Sequence, residues 1–200
     1  MRLFYKIVIS FVRILMKVFW GLKIVGKENM DDIQNVILAA NHISVNDPPF
    51  IGSIMPIEIS FLAKSELFKN KIFASLIGYF NSIPIRRGAI DRKALERVEK
   101  RIKDGKSILI FPEGTRKSDK AKPGIGKIAI ETQTDIVPVY IKNSDNFWKC
   151  FFRKERLCIV IGKRYKVKDF ELKENMKDSY REFSSMILDK INEMKDECDS

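Results

Sequence analysis

One histidine stands among the 200 residues, and only three cysteines. A lone His42 cannot supply the imidazoles of a His-rich zinc or di-iron centre, and Cys150, Cys158 and Cys198 lack metal-ligand spacing, so no metal is expected. Their odd number reads as reduced thiols in a protein that faces the cytosol, with Cys150 and Cys158 as packing residues. Long apolar runs are missing from the N-terminus too. The longest uncharged stretch among residues 1–20 is residues 7–12, short of the ~20 apolar residues that a membrane span needs. No small-residue cleavage site follows it, because Gly21, Leu22 and Lys23 come next, which argues against a signal peptide. There is no internal repeat, low-complexity tract or interior linker. Acidic residues are the deficit of one sign: 26 Asp+Glu against 37 Lys+Arg leave a net charge of +11.

What is present is enough for a folded domain. Hydrophobic residues make up 45% of the chain, far too many for disorder, and the length suits one core. The positive charge then needs a partner: nucleic acid, an anionic membrane or an acidic protein.

Residues 1–20 carry a helical pattern. At 100° per residue Arg2, Lys6, Arg13 and Lys17 fall at about 200°, 240°, 220° and 260°, one narrow stripe, while Leu3, Phe4, Ile7, Phe11, Ile14, Leu15 and Val18 spread over the other side. Such a helix lies in a membrane interface, with Phe4 and Phe11 among acyl chains and Arg2, Lys6, Arg13 and Lys17 among phosphates. A terminal helix docked on the protein's own core is the other reading. Residues 1–24 are assigned to this helix and residues 25–200 to the domain that follows.

Beyond Gly26, short apolar runs alternate with charged amphipathic stretches. Strands are expected at 36–40, 57–63, 83–85, 107–111, 136–141 and 157–161. Helices are expected from Asp47-Pro48, over 69–79, and from Asp91 to Gly105 with Leu95, Val98 and Ile102 on one face. A last helix from Glu174 carries Met176, Tyr180, Phe183, Ile187 and Ile191, and ends in a frayed polar tail at 196–200. This alternation predicts an α/β domain with a largely parallel central sheet flanked by helices.

His42 follows the first of these strands, where α/β sheets bind ligands, with Asp47 five residues on. A separation of five is wrong for one helical face, so the two meet only across a turn, which the Asp47-Pro48 helix start permits. They read as a general base oriented by a carboxylate, or as an incidental loop residue beside an N-cap. The sequence FPEGTR at 111–116 sets Glu113 and Arg116 beyond the strongest strand. Residues 78–88 bring Arg86 and Arg87 to another strand end, where a guanidinium suits phosphate. Gly126-Lys127 is not part of a P-loop, since Ile128 stands where Ser or Thr would hold magnesium.

Residues 41–47, 78–87, 111–116 and 136–140, four blocks in chain order, resemble those of the lysophospholipid acyltransferases, the family typified by bacterial 1-acyl-sn-glycerol-3-phosphate acyltransferase. Residues 41–47 match its N-H-x4-D motif, residues 78–87 its second block, FPEGTR its third unaltered, and residues 136–140 its fourth. The resemblance implies His42 as catalytic base with Asp47 as its partner. It implies substrate binding by Asn41, Arg87 (with Arg86 second), Glu113, Gly114, Thr115 and Arg116, and places Pro138 on the acyl-donor side. The family's lysine after the third block is matched by Lys127 through an altered local sequence, residues 122–127. The implied activity is acyl transfer from acyl-CoA or acyl-acyl carrier protein to the sn-2 hydroxyl of lysophosphatidic acid, without a cofactor, at the cytoplasmic face of the cell membrane. Another lysophospholipid or a lyso-aminolipid is the alternative acceptor. A basic nucleic-acid module is the distant alternative, with residues 153–156 and 163–166 and the aromatics Phe151, Phe152 and Tyr165 as its footprint.

Overall fold

Residues 1–31, 33–86, 91–116 and 118–199 are described by the computed structural model. Short β-branched runs form a seven-stranded sheet: β1 (Lys23–Val25), β2 (Ile37–Ala40), β3 (Ser60–Lys64), β4 (Ser82–Ile85), β5 (Ile108–Ile110), β6 (Ile136–Lys142) and β7 (Cys158–Ile161), in the order β1-β7-β6-β2-β5-β3-β4. Strands β2 to β6 are mutually parallel; β7 runs antiparallel to β6, and β1 pairs parallel with β7. Helices α1 (Leu3–Leu15), α2 (Asp47–Ile54), α3 (Lys71–Tyr79), α4 (Arg92–Lys103), α5 (Gly124–Thr132), α6 (Phe147–Phe151) and α7 (Met176–Glu193) fill the connections.

Alternation along the central strands divides the core in two, because successive side chains leave opposite faces. Leu38 and Ala40 join Val137, Val139 and Ile141 under α2 and the end of α1. Ile37 and Ala39 join Ile108, Ile110 and Ile136 under Val98 and Ile102 of α4, Ile128 of α5, and Phe183, Ile187 and Ile191 of α7. The helix starts follow their capping residues. Asn70 accepts from the Ile72 and Phe73 amides, Asp91 from Ala94, and Asn175 from Lys177.

The structure departs from the sequence expectation at four places. Strand β1 is additional: Lys23, Ile24 and Val25 are half-buried at the sheet edge and too few to show a period. Helix α5 was hidden by its two glycines; Gly126 is there because α5 and α7 nearly touch. A Cβ at Gly126 would stand 2.2 Å from the Tyr180 carbonyl oxygen. The cysteines are not three thiols: Cys158 of β7 and Cys198 form a disulfide across a Cα separation of 5.9 Å, and Cys150 is the buried free thiol. Nor is the tail frayed. A 3-10 turn at Met194–Cys198 buries Met194, Lys23 Nζ donates to the Cys198 carbonyl at 3.1 Å, and Lys142 pairs with Asp199 at 2.6 Å.

Helix α1 docks on the core by one stripe and leaves a second apolar stripe exposed. Tyr5, Ile9 and, in the π-helical turn Met16–Trp20 that extends it, Met16 are buried. Leu3, Phe4, Ile7, Phe11, Ile14 and Val18 remain exposed on the far side. The cation stripe divides likewise. Arg2 turns inward to the Glu58 carboxylate (2.7 Å) and the Tyr79 carbonyl (2.6 Å), and Arg13 to the Ser53 carbonyl (2.6 Å). Lys6 and Lys17 stay in solvent. Arg2 and Arg13 therefore fasten the helix to the body rather than reach outward. Burial works against ionisation of Glu58, but the Arg2 guanidinium and amide outweigh it and hold the carboxyl at about 2.

The α5–α7 contact sets a test. Gly126→Ala overpacks it and should cost about 2 kcal/mol, whereas Gly124→Ala, with nothing within 4 Å of its Cβ, should stay within ~0.5 kcal/mol of the parent in urea unfolding.

Candidate active site

The carboxyl ends of β2, β5 and β6 meet at one edge of the sheet, and the candidate site is built there. Strand β2 delivers Asn41 and His42, and the chain turns through residues 43–46 into α2, whose first residue is Asp47. The turn closes His42 onto Asp47, Nδ1 to Oδ2 at 2.7 Å, with the His42 residue 6% exposed and Asp47 fully buried. The same carboxylate accepts the Ile43 and Ser44 amides at 2.8 Å each, and the Ser144 hydroxyl on its other oxygen. An oxygen already receiving two N–H donors is an acceptor toward the ring, so Nδ1 carries the proton and Nε2 the lone pair. The imidazole lies flat on the Phe111 ring, centroids 4.0 Å apart. Orientation, tautomer and exclusion of water are thus settled by residues of three strand ends.

Asn41, expected to bind substrate, has its side chain hydrogen-bonded within the sheet. Its amide donates to the Ile141 carbonyl at 2.9 Å and its oxygen accepts the Ile141 amide at 2.7 Å, a two-bond clamp between β2 and β6. Glu113, buried in the FPEGTR turn, accepts the His42 amide at 3.0 Å. Burial, reinforced by the nearby Asp47 charge and only partly offset by that amide, pushes its carboxyl up to about 7. Gly114 adopts φ +66°, a left-handed turn that favours glycine, and the Lys122 side chain lies over it. Thr115 is half-buried beside it.

Arg116 is exposed and, with Ile43, Ser44, Val45 and Asp145, lines an open cleft of about 400 Å³. Arg86 is exposed at the end of β4, its amide bound to Asp91 at 2.9 Å. Three strand spacings separate β4 from β2, roughly 14 Å. Arg87 lies outside the described residues. Pro138 is buried within β6, opposite Ala39, with its carbonyl taken by the Gly162 amide. Lys127 stands 3.9 Å from Glu131 on α5, and the lysine over the FPEGTR turn is Lys122 instead. Ser144 and Lys122 were missed by sequence reasoning. Ser144 sits two residues past β6 with no motif around it, while Lys122 could have been found from Pro123, which forces a turn before α5.

Two cations of the basic footprint considered for nucleic acid are engaged within the chain: Arg153 donates to the Val18 carbonyl and Arg164 pairs with Asp135. Lys149, just before that footprint, pairs with Glu155. Among the described residues no cluster of His, Cys, Asp and Glu could hold a metal.

A His–Asp dyad at the carboxyl edge of a mostly parallel sheet, beside an FPEGTR turn, defines an acyltransferase. Residues 21–142 match the family described as Acyltransferase, and the chain belongs to it. It is 28% identical over 169 residues to the 1-acyl-sn-glycerol-3-phosphate acyltransferase of Bacillus subtilis, covering 83% of this chain and 84% of that one. It is 31% identical over 180 residues to the protein of the same description from Borreliella burgdorferi, covering 86% and 71%. A lyso-ornithine lipid O-acyltransferase of Pseudomonas aeruginosa is 34% identical over 83 residues, 41% of this chain and 31% of that one. The fold is shared with the solved 1-acyl-sn-glycerophosphate (LPA) acyltransferase of Thermotoga maritima, at a TM-score of 0.66 and 24% identity over 94% of this chain and 79% of that one.

The raised Glu113 carboxyl gives a signed pH dependence. The folded chain holds a proton that the unfolded chain has released between about 4.5 and about 7, so this contribution to stability is full below about 4.5 and lost as pH rises through about 7. Glu113→Gln keeps an acceptor for the His42 amide and should remove that fall, seen as a flatter urea midpoint across the same pH range.

Proposed function

We propose that the protein moves a fatty acyl group from a thioester, acyl-CoA or acyl-acyl carrier protein, to the sn-2 hydroxyl of 1-acyl-sn-glycerol-3-phosphate, giving phosphatidic acid. The observation that carries this reading is the buried His42–Asp47 pair, Nδ1 to Oδ2 at 2.7 Å, followed directly in the chain by Ile43, Ser44 and Val45, which line a cleft with Arg116. Nε2 takes the hydroxyl proton as the oxygen attacks the thioester carbonyl. Asp47 stabilises the imidazolium that forms. Collapse of the tetrahedral adduct breaks the C–S bond, and the imidazolium returns its proton to the departing thiolate. The acceptor's own oxygen is the nucleophile, so no serine or cysteine of the chain is acylated.

Arg116, with Arg86 and Arg87 from the β4 end, supplies guanidiniums for the acceptor phosphate. Glu113, Gly114 and Thr115 precede Arg116 in the FPEGTR turn, with the Lys122 side chain over Gly114. An apolar groove of about 350 Å³ lies between α1, α2 and α3, lined by Val8, Val12, Pro49, Phe61, Phe73 and Leu76. Val45 borders both the groove and the cleft, so an acyl chain in the groove brings its head to His42. The bilayer is the source of such a substrate. Leu3, Phe4, Ile7, Phe11, Ile14 and Val18 form a face that stays exposed among the described residues, flanked by Lys6 and Lys17, as in a helix lying in an anionic interface. Among the described residues no helix is long and apolar enough to cross a membrane. Contact is from one side, and the cytoplasmic face is where both thioester donors are found.

The Pseudomonas relative carries a second reading, a lyso-aminolipid acceptor, with the same dyad and a different head group. An assay of the purified chain against lysophosphatidic acid and lyso-ornithine lipid separates them. Arg116→Ala should raise KM more than tenfold for the phosphate acceptor; an equal rise for the phosphate-free one would contradict phosphate recognition.

His42→Ala should lower kcat by about 10³-fold with vesicle binding retained. Ser144→Ala should lower kcat about tenfold with KM little changed, because it loosens Asp47 without touching the cleft. Near-parental turnover of His42→Ala would remove the base.

A further inference from the structure

Membrane contact through α1 leaves a second apolar patch unexplained. Helix α6 is five residues long and buries only Cys150 among them. Trp148 is 68% exposed and Phe152, just beyond the helix, 64%; Phe151 is exposed beside them. Water rarely faces three large rings side by side without a function for them. The cluster is ordered: Phe152 and Phe151 pack on Trp148 with centroids 6.2 and 6.3 Å apart. Its base is the π-helical turn that ends the α1 segment. Phe19 stacks on Phe151 at 6.0 Å, Trp20 meets Phe147 edge-on at 4.8 Å, and Arg153 donates to the Val18 carbonyl at 2.6 Å. Val18 belongs to the exposed face of α1, so the two patches are continuous.

The surroundings narrow the partner. Lys154 and Arg156 are exposed close to the rings in the chain, while Lys149 and Arg153, also exposed, are held by Glu155 and the Val18 carbonyl. Tryptophan with lysine and arginine stems is the composition of a bilayer interface, where amphipathic side chains place rings below and cations among phosphates. Position gives the patch its consequence. Helix α6 follows directly on the loop whose Ser144 holds Asp47, and Asn46 beside Asp47 donates to the Ser144 carbonyl at 3.2 Å. A single helix lying on a membrane leaves the body free to roll about the helix axis. A second contact off that axis stops the roll and fixes one orientation of the catalytic edge.

We infer that α6 and Phe152 form a second membrane-contact site, in which Trp148, Phe151 and Phe152 enter an anionic bilayer and the neighbouring cations engage its phosphates. This rests on the membrane reading of α1 and adds the orientation that α1 alone does not supply. The test uses the full chain, its Trp148→Ala variant and the Trp148→Ala/Phe152→Ala variant, with phosphatidylcholine–phosphatidylglycerol vesicles with and without brominated acyl chains. The difference in emission between parent and Trp148→Ala reports Trp148 alone. It should shift to the blue on vesicles and be quenched by the brominated lipid. The double variant should melt like the parent, partition about tenfold more weakly, and show a raised KM for lysolipid in bilayers with kcat unchanged in detergent micelles. Vesicle binding with Trp148 emission unaltered would overturn the inference and leave α1 standing; no vesicle binding by the parent would overturn both. Unchanged vesicle binding with a raised KM for an acyl-carrier-protein donor would assign the patch to a protein instead.

Discussion

One buried carboxylate organises the catalytic edge. Asp47 has no contact with water, and an ion in that position is tolerable only when its lone pairs are filled. Four donors fill them: the His42 ring, the Ile43 and Ser44 amides, and the Ser144 hydroxyl. They come from the end of β2, the turn into α2 and the loop after β6, so the cost of burying the charge is offset only if those three pieces of chain arrive together. The Asn41 clamp on Ile141 and the Glu113 bond to the His42 amide make the same demand from either side. Removing water from this cluster also strengthens the attraction that steadies an imidazolium next to Asp47. Folding and catalytic preparation are therefore one event at this edge.

Much of this was legible before any coordinates. The apolar runs announced their strands because parallel strands are buried on both faces and read as continuous hydrophobics, as residues 107–111 and 136–141 do. The cap at Asp91 came from local chemistry. What was not legible depends on partners distant in sequence. Gly126 reads as a helix breaker until α7 is laid against it. Asn41 reads as a binding residue until its amide is seen spent on a strand 100 residues away. Cys158 and Cys198 are 40 residues apart, and their pairing follows from the tail returning to the β7 edge. Within the site, the His–Asp spacing pointed to a turn, but Ser144 had no signal at all, because a serine in a loop is among the least informative residues in a chain.

Helix α1 shows why an amphipathic pattern alone could not decide between membrane and core. A helix has room for two apolar stripes if its cations are few and set between them. Tyr5, Ile9 and Met16 need only a narrow stripe to dock, which leaves a broad stripe on the far side for something else. The arginines fit this division better than lysines would: planar guanidiniums satisfy backbone carbonyls at Tyr79 and Ser53, while Lys6 and Lys17 stay hydrated. Part of the positive charge is thus used for fastening, and net charge alone overstates what is free to attract a partner.

The site also separates what must not vary from what can. His42, Asp47, Ser144, Asn41 and Glu113 are buried and tied to one another, so a change in any of them propagates through the cluster. Arg116 and Val45 are outside that network, at the open cleft, and Arg86 is exposed at the end of β4. Substituting there alters which head group or chain is held without disturbing the tautomer of His42. Acceptor preference in such an architecture is set at the rim, while the chemistry is set beneath it. A shift from a phosphate to a zwitterionic head group is then a matter of which charges stand on two exposed strand ends, and it requires no rebuilding of the sheet edge that carries out the transfer.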